Sequence, residues 1–303
     1  MLMQAVNAYL CVRRAAGFAL EVPEYLLRSF ARFASGRGEV YVRTQTVIEW
    51  ASQAPSLSQR DHRLKTVARF ARHVHVEDKR HEVPPPNAFG YRKARRVPFI
   101  YNHAQIDRLL EAAMRLEPAG SLRPYTYSTL LALLAVTGLR ISEALALRLS
   151  DVRPEGLLIR DTKFKKSRLV PLHESTAAGL QRYLVRRALV VPTHDYVFVS
   201  LYGSPLRRSS VFWTFCNLIK SIGLDLGPKG RRPRIHELRH AFAVRALQAS
   251  PEGRDHVGRH MLALATYMGH TRITDTYWYL EATPHLLQDI ADACQRFQEG
   301  GLQ

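Results

Sequence analysis

Four short stretches of this chain carry residue types that hold anions and move protons. The first, Thr137-Gly138-Leu139-Arg140-Ile141-Ser142-Glu143-Ala144-Leu145, sets an arginine between a glycine that can end a helix and a serine that can cap the next. Flanked by apolar Leu139 and Ile141, Arg140 becomes a cation anchored beside a core; read alone, it is equally a surface arginine in a loop. The second is Asp161-Thr162-Lys163-Phe164-Lys165-Lys166, where Lys163 stands in a turn and can reach into a cleft or simply face water. The third is His236-Glu237-Leu238-Arg239-His240. On a helix, His236 and Arg239 share a face. With thirteen histidines and many arginines a His-x-x-Arg match also arises by chance, and one recurs at His256-Val257-Gly258-Arg259, where Gly258 makes a poorer helix that reads as surface. The fourth is Met268-Gly269-His270, followed nine residues on by Tyr279 within Thr276-Tyr277-Trp278-Tyr279-Leu280. A histidine after a glycine and a tyrosine on the next helix can meet across a turn; aromatics at helical spacing also pack cores.

The elements that would position these residues are mostly helical. Apolar residues three and four apart mark helices around Val6, Leu10 and Val12, then Tyr25, Leu26, Phe30 and Phe33, then Val47, Ile48 and Ala51, then Leu64, Val67, Phe70 and Ala71. Arg60, Arg63, Lys65, Arg69, Arg72 and Lys79 give the fourth helix a basic face. The run from Val83 to Pro98 holds Pro84, Pro85, Pro86 and Gly90 with Arg92, Lys93, Arg95 and Arg96, which breaks the chain into two domains. Beyond it, Ile106, Leu109, Leu110 and Ala113 mark a helix, and the apolar stretch Leu130 to Val136 is buried until Gly138 stops it, with Ser142 as cap of the next helix through Leu147. The one strong hairpin signal joins Leu157–Arg160 to Arg168–Leu172 through the lysine-rich turn; Tyr196–Val199 reads as another short strand. Ala249 to His260 reads as a surface insertion, and Leu286, Leu287, Ile290 and Ala293 as an amphipathic C-terminal helix.

Composition narrows the partner. Lys plus Arg is 44 against 26 for Asp plus Glu, a net charge of +18, and that field favours polyanions. Arginine outnumbers lysine, which suits bidentate grip on phosphate oxygens, although base-composition bias also makes arginine-rich chains. Cys11, Cys216 and Cys294 are too scattered for a disulfide framework or a zinc site. No apolar run approaches the roughly 18 residues of a membrane-spanning helix, and the N-terminus lacks the pattern of a signal peptide. The chain therefore reads as cytoplasmic.

Taken together, Thr-Gly-Leu-Arg-x-Ser-Glu, a lysine hairpin ending in Arg168-Leu169-Val170-Pro171-Leu172, His-x-x-Arg-His, and Gly-His followed by Tyr resemble the tyrosine recombinase (phage integrase) family. The resemblance covers roughly Val97 to the end, and the helical N-terminal part looks like the family's core-binding domain. It implies a mainly α fold: an N-terminal helical core-binding (SAM-like) domain over 1–83, a basic Pro-rich linker over 84–98, and an α+β catalytic domain with a small antiparallel β-sheet over 99–303. It also implies an active site of Arg140, Lys163, His236, Arg239, His270 and Tyr279, with no metal and no cofactor. The implied partners are double-stranded DNA in the bacterial nucleoid, a homotetramer on paired DNA sites, and accessory or sister recombinases. The stretch from Thr276 to Pro284 is similar to recombinases of mobile elements.

Those residue types suit the implied reaction. Attack on a phosphodiester builds charge on the non-bridging oxygens, which Arg140 and Arg239 can hold. The Tyr279 phenol must lose its proton, which His236 can help accept, while Lys163 can protonate the leaving 5′ oxygen and His270 can bond the phosphate. Tyr277 is the rival nucleophile, but the nine-residue interval from His270 matches the family at Tyr279. Lys165 and Lys166 crowd Lys163, and the register against Arg168 favours Lys163. Glu143 and Asp151 read as partners of nearby arginines and backbone. A type IB topoisomerase, with a similar site, and a non-catalytic DNA-binding protein of the same fold remain alternatives; all six expected positions being filled argues against the second.

Overall fold

The computed structural model describes the chain except residues 92–97, 161–166, 191–194, 225–231, 250–253, 270–273, 275, 277–278 and 280–303, with backbone alone at 254–257. It divides into two compact units, Met1–Arg96 and Val97–Gln303.

The first unit is built from α1 (Leu2–Ala15), α2 (Glu21–Ser35), α3 (Thr44–Ser52) and α4 (Leu57–Glu77). Most of its apolar stripes converge: Val6, Leu27, Phe30, Val47, Leu64, Val67 and Phe70 are fully buried, and Phe30 meets Trp50 edge-on at 5.5 Å, whereas Val12 and Tyr25, expected on the same stripes, are exposed. Acidic Glu21 and Glu24 at the start of α2 face its positive end, and the Ser56 hydroxyl caps α4 by accepting from the Gln59 N–H. Part of the basic face of α4 is spent inside the fold. Arg60 donates to the Ala54 carbonyl, Lys65 pairs with Asp61 at 2.8 Å, and Arg63 lies over the Trp50 ring. Arg69 and Lys79 stay exposed. Phe89, which the sequence places in the linker, packs against this unit's core.

In the second unit, α5 (His103–Met114) opens with a reciprocal Asn102–Gln105 cap, and α6 (Leu122–Thr137) carries Leu130, Leu131, Leu133 and Leu134 through the core. A short α7 (Ile141–Ala146) and a 3-10 turn (Leu149–Asp151) lead to an antiparallel sheet ordered β1 (Val152–Arg153), β2 (Gly156–Ile159), β3 (Arg168–Val170). Its register sets Leu157 opposite Val170 and Ile159 opposite Arg168. Pro171 ends β3 because it has no N–H for the ladder. The chain continues through α8 (Glu174–Ala188), α9 (Arg208–Ser221), α10 (Glu237–Gln248) and α11 (Arg254–Met268).

Two sequence expectations change here. Tyr196–Val199 is not a strand; it makes only isolated bridges, Arg148 with Tyr196 and Val199 with Pro205. Val197, Phe198 and Val199 are all fully buried in succession, so the segment is enclosed on both sides and lacks the alternation of a sheet with one wet face. The stretch read as a surface insertion, 249–260, is helical from Arg254 onward: the second His-x-x-Arg belongs to α11, and His260 Nε2 lies 2.7 Å from the Ala246 carbonyl. Among the described residues, no helix is long and apolar enough to cross a membrane.

Candidate active site

The site grows from the end of α6. Gly138 stands there in the left-handed region (φ +60), and a Cβ at this position would lie 2.4 Å from the Phe242 ring. Glycine thus serves twice, for the turn and for the close approach of α10. Leu139 is buried, and Arg140 follows as the residue that caps α7. The cap is not Ser142, as the sequence suggested; Ser142 is exposed on the helix itself. Glu143 does the work instead, reaching back to accept the Arg140 backbone N–H at 3.0 Å.

Arg140 extends from this cap. Its Nη1 donates to Glu143 Oε1 at 2.6 Å and its Nη2 to the Gly269 carbonyl at 3.1 Å. Arg239 comes from the first turn of α10 and is 2% exposed. It donates to the carbonyls of Gly138 at 2.5 Å and Met268 at 2.7 Å. The two guanidinium groups are therefore fixed on adjacent carbonyls, Arg239 on Met268 and Arg140 on Gly269, with Gly138 holding Arg239 from the other side and the Glu143 carboxylate holding Arg140. A guanidinium has more N–H donors than these contacts use, so both can still bond an anion. Burial lowers Arg239 to about 10, with Arg140 repelling it further, and it remains a cation at neutral pH.

A row of rings lies beside the arginines. His236 caps the N-terminus of α10 and meets the His240 ring edge-on at 4.9 Å; His240 in turn lies 5.4 Å from the Tyr279 ring. Tyr279 is helical and 3% exposed, seated among Ala243, Val244, Leu247, Met261, Leu264 and Met268. Core packing and a place beside the basic cluster, alternatives in the sequence, hold together here. His236 keeps an exposed edge, yet loss of water around its ring and repulsion from Arg239, Arg234, Arg140 and Arg208 push it down to about 4.

Of the six residues expected from the sequence, Arg140, His236, Arg239 and Tyr279 are brought together; Lys163 and His270, like the rival Tyr277 and the C-terminal helix, lie outside the described residues. Two neighbours were not singled out. His240 supplies a ring contact to Tyr279, and its place four residues after His236 was the available signal. Arg168 shares Glu143 with Arg140 through bonds of 3.2 and 2.9 Å; nothing local in the sequence links residues 25 apart. Burial raises Glu143, but bonds from Arg168 and from the Arg140 N–H outweigh it and hold the carboxyl at about 2. Asp151, like Glu143, is a partner of arginine and backbone, bonding Arg160 and the Arg148 N–H.

The model of the phage integrase family matches residues 100–285, more than half of the chain. The chain belongs to the phage integrase family. Membership makes it a tyrosine recombinase, an enzyme class that transfers DNA strands. Among its relatives is a Sinorhizobium fredii protein provisionally named integrase/recombinase y4rB, 38% identical over 97% of this chain and 96% of the relative. Tyrosine recombinase XerD of Proteus mirabilis is 31% identical over 74% of this chain and 68% of the relative. Integrase-type folds appear among solved structures too. The Tn1549 transposon integrase in complex with transposon right end DNA aligns with a TM-score of 0.69 and 17% identity, over 96% of this chain and 98% of that one. A lambda integrase tetramer bound to a Holliday junction aligns at 0.64 and 16%, over 92% and 76%. The integrase-family fold, mainly helical with one small antiparallel sheet, is thus the one the sequence implied.

Proposed function

We propose that this recombinase breaks and rejoins DNA at specific sites through a covalent bond between Tyr279 and a 3′ phosphate. The observation that carries this reading is the pairing of Arg140 and Arg239, fixed on backbone carbonyls, with the Tyr279 phenol beside His240 and His236. The two guanidinium groups hold the non-bridging oxygens as negative charge develops. The phenol oxygen attacks phosphorus while the bond to the 5′ oxygen breaks. The phenol proton passes toward the histidines; the arginines around His236 disfavour its protonation in the free protein, and a bound phosphate that offsets their charge makes it a better acceptor. Lys163 returns a proton to the 5′ oxygen, and His270 bonds the phosphate. Attack by a different 5′ hydroxyl reverses these steps and rejoins the strand, so no external energy source is needed. Tyr279 is only 3% exposed, so its phenol must become accessible before a phosphate reaches it.

The partner is double-stranded DNA in the cytoplasm, at the nucleoid. Solved relatives support the assembly: one is a lambda integrase tetramer bound to a Holliday junction. We therefore assign a homotetramer on two paired sites, with a role in moving a mobile element. The domain roles follow, the helical unit gripping DNA and the second unit cutting it.

The test traps the intermediate. Purified protein incubated with host genomic DNA and quenched in detergent should yield DNA linked to protein, and sequencing the linked ends should give one recurrent site. A nicked duplex of that site should trap wild type but not Tyr279→Phe, which should still bind. Adduct formation by Tyr279→Phe, or binding without any adduct by wild type, would overturn the assignment. Relaxation of a plasmid without the site would favour a topoisomerase.

A further inference from the structure

Arg140 has a difficulty that its own contacts create. An arginine that must hold a phosphate is bonded at 2.6 Å to a carboxylate whose side chain is 7% exposed. Alone, the Arg140–Glu143 pair carries no net charge, and Glu143 competes with any anion for the same guanidinium. Arg168 changes that balance. From β3 it places Nη1 and Nη2 on the two oxygens of Glu143, at 3.2 and 2.9 Å, while its Nε donates to the Tyr267 carbonyl at 2.9 Å. The three side chains then sum to one positive charge.

The same residue completes a grip on the end of α11. The carbonyls of Tyr267, Met268 and Gly269 are consecutive, and they accept from Arg168, Arg239 and Arg140 respectively. Three cations from three elements thus meet the negative end of one helix. Gly269 makes room for this: its φ is +67, and a Cβ there would lie 2.7 Å from Arg168 Nη1.

We propose that Arg168 is a positioning residue for strand transfer: it takes a share of Glu143, so that Arg140 keeps its charge for the scissile phosphate. Its role rests on the reading of Arg140 as a phosphate-holding group.

The experiment compares Arg168→Ala, Arg168→Lys, Glu143→Gln and the double variant Arg168→Ala with Glu143→Gln, in the full chain. Single-turnover cleavage of the nicked site is measured at saturating protein, with DNA affinity and melting temperature alongside. Arg168→Ala should slow cleavage by up to about a hundredfold with DNA affinity little changed. In that background Glu143→Gln should restore about tenfold, because the amide still accepts the Arg140 N–H but no longer neutralises its side chain. A purely structural Arg168 predicts the opposite, a double variant at least as slow as the single. Arg168→Lys, which keeps the cation but not the bond to Tyr267, should cleave faster than Arg168→Ala. Should Arg168→Ala not fold, Arg168→Lys cleaving more than about tenfold below wild type would sink the charge-sharing role.

A second readout needs no cleavage: inorganic phosphate titrated against the Arg140 Nε–H signal. Affinity should fall in Arg168→Ala and recover in the double variant, and equal phosphate affinity in all variants would reject the proposal. Failure of wild type to form an adduct counts against the covalent reading instead, and leaves this phosphate comparison to decide the role of Arg168.

Discussion

Arg239 shows how much one side chain can be asked to do. Its guanidinium ties Gly138 to Met268 and faces Arg140, and both tasks need its planar, forked donors. Lysine keeps the charge but cannot reach two carbonyls and a phosphate together. Arg239→Lys should therefore lower the cleavage rate by about a hundredfold or more, with DNA binding retained; a rate near wild type would remove Arg239 from the chemistry. His236 offers a pH signature. Its folded pKa is lowered from 6.5 to about 4, so between those values the unfolded chain binds a proton that the folded protein refuses. Stability should consequently fall as pH drops through that window. Ring titration followed by NMR should give a midpoint well below 6.5 in the free protein, moving upward when DNA brings a phosphate near. A midpoint at or above 6.5 without DNA would contradict the cationic surround.

At the scale of elements, the junction of α6, α7 and α10 carries the strictest geometry. Gly138→Ala must place a methyl in the left-handed region and against the Phe242 ring. A loss of about 1–3 kcal/mol is expected from such backbone strain alone, read as a shifted denaturation midpoint with an unchanged slope. Cleavage should fall as well, since the Gly138 carbonyl is one of the two that orient Arg239. A variant as stable as wild type would show that the α6–α10 approach is slack.

For the whole molecule, the net charge of +18 sets the strength and the fragility of DNA binding. If roughly six to ten phosphates are neutralised, affinity should drop by about three to five decades between 50 and 200 mM salt. A flat salt dependence would contradict a phosphate clamp. Not every cation contributes: Arg60, Arg63 and Lys65 are engaged in holding the first unit together. Arg69→Ala, which removes an exposed charge from α4, should lower the salt slope by about one if it meets a phosphate, whereas Arg63→Ala should cost stability.

What the sequence determined by itself was local or ordered along the chain. Apolar spacing located the four helices of the first unit, two short apolar runs about a lysine-rich turn located β2 and β3, and Gly138 marked the end of α6, because periodicity and backbone restriction act over a few residues. The order of Arg140, His236, Arg239 and Tyr279 likewise pointed to one family. Tertiary structure decided the rest. Ser142 looks like a cap until Glu143, held by two arginines, takes that place. Tyr196–Val199 looks like a strand until enclosure from both sides leaves it single bridges. The roles of Arg168 beside Glu143 and of His240 beside Tyr279 came from contacts across 25 and 39 residues, although the spacing of His240 from His236 hinted at the second. Charge sharing and ring contact depend on distance in space, and no pattern confined to neighbouring residues encodes that distance.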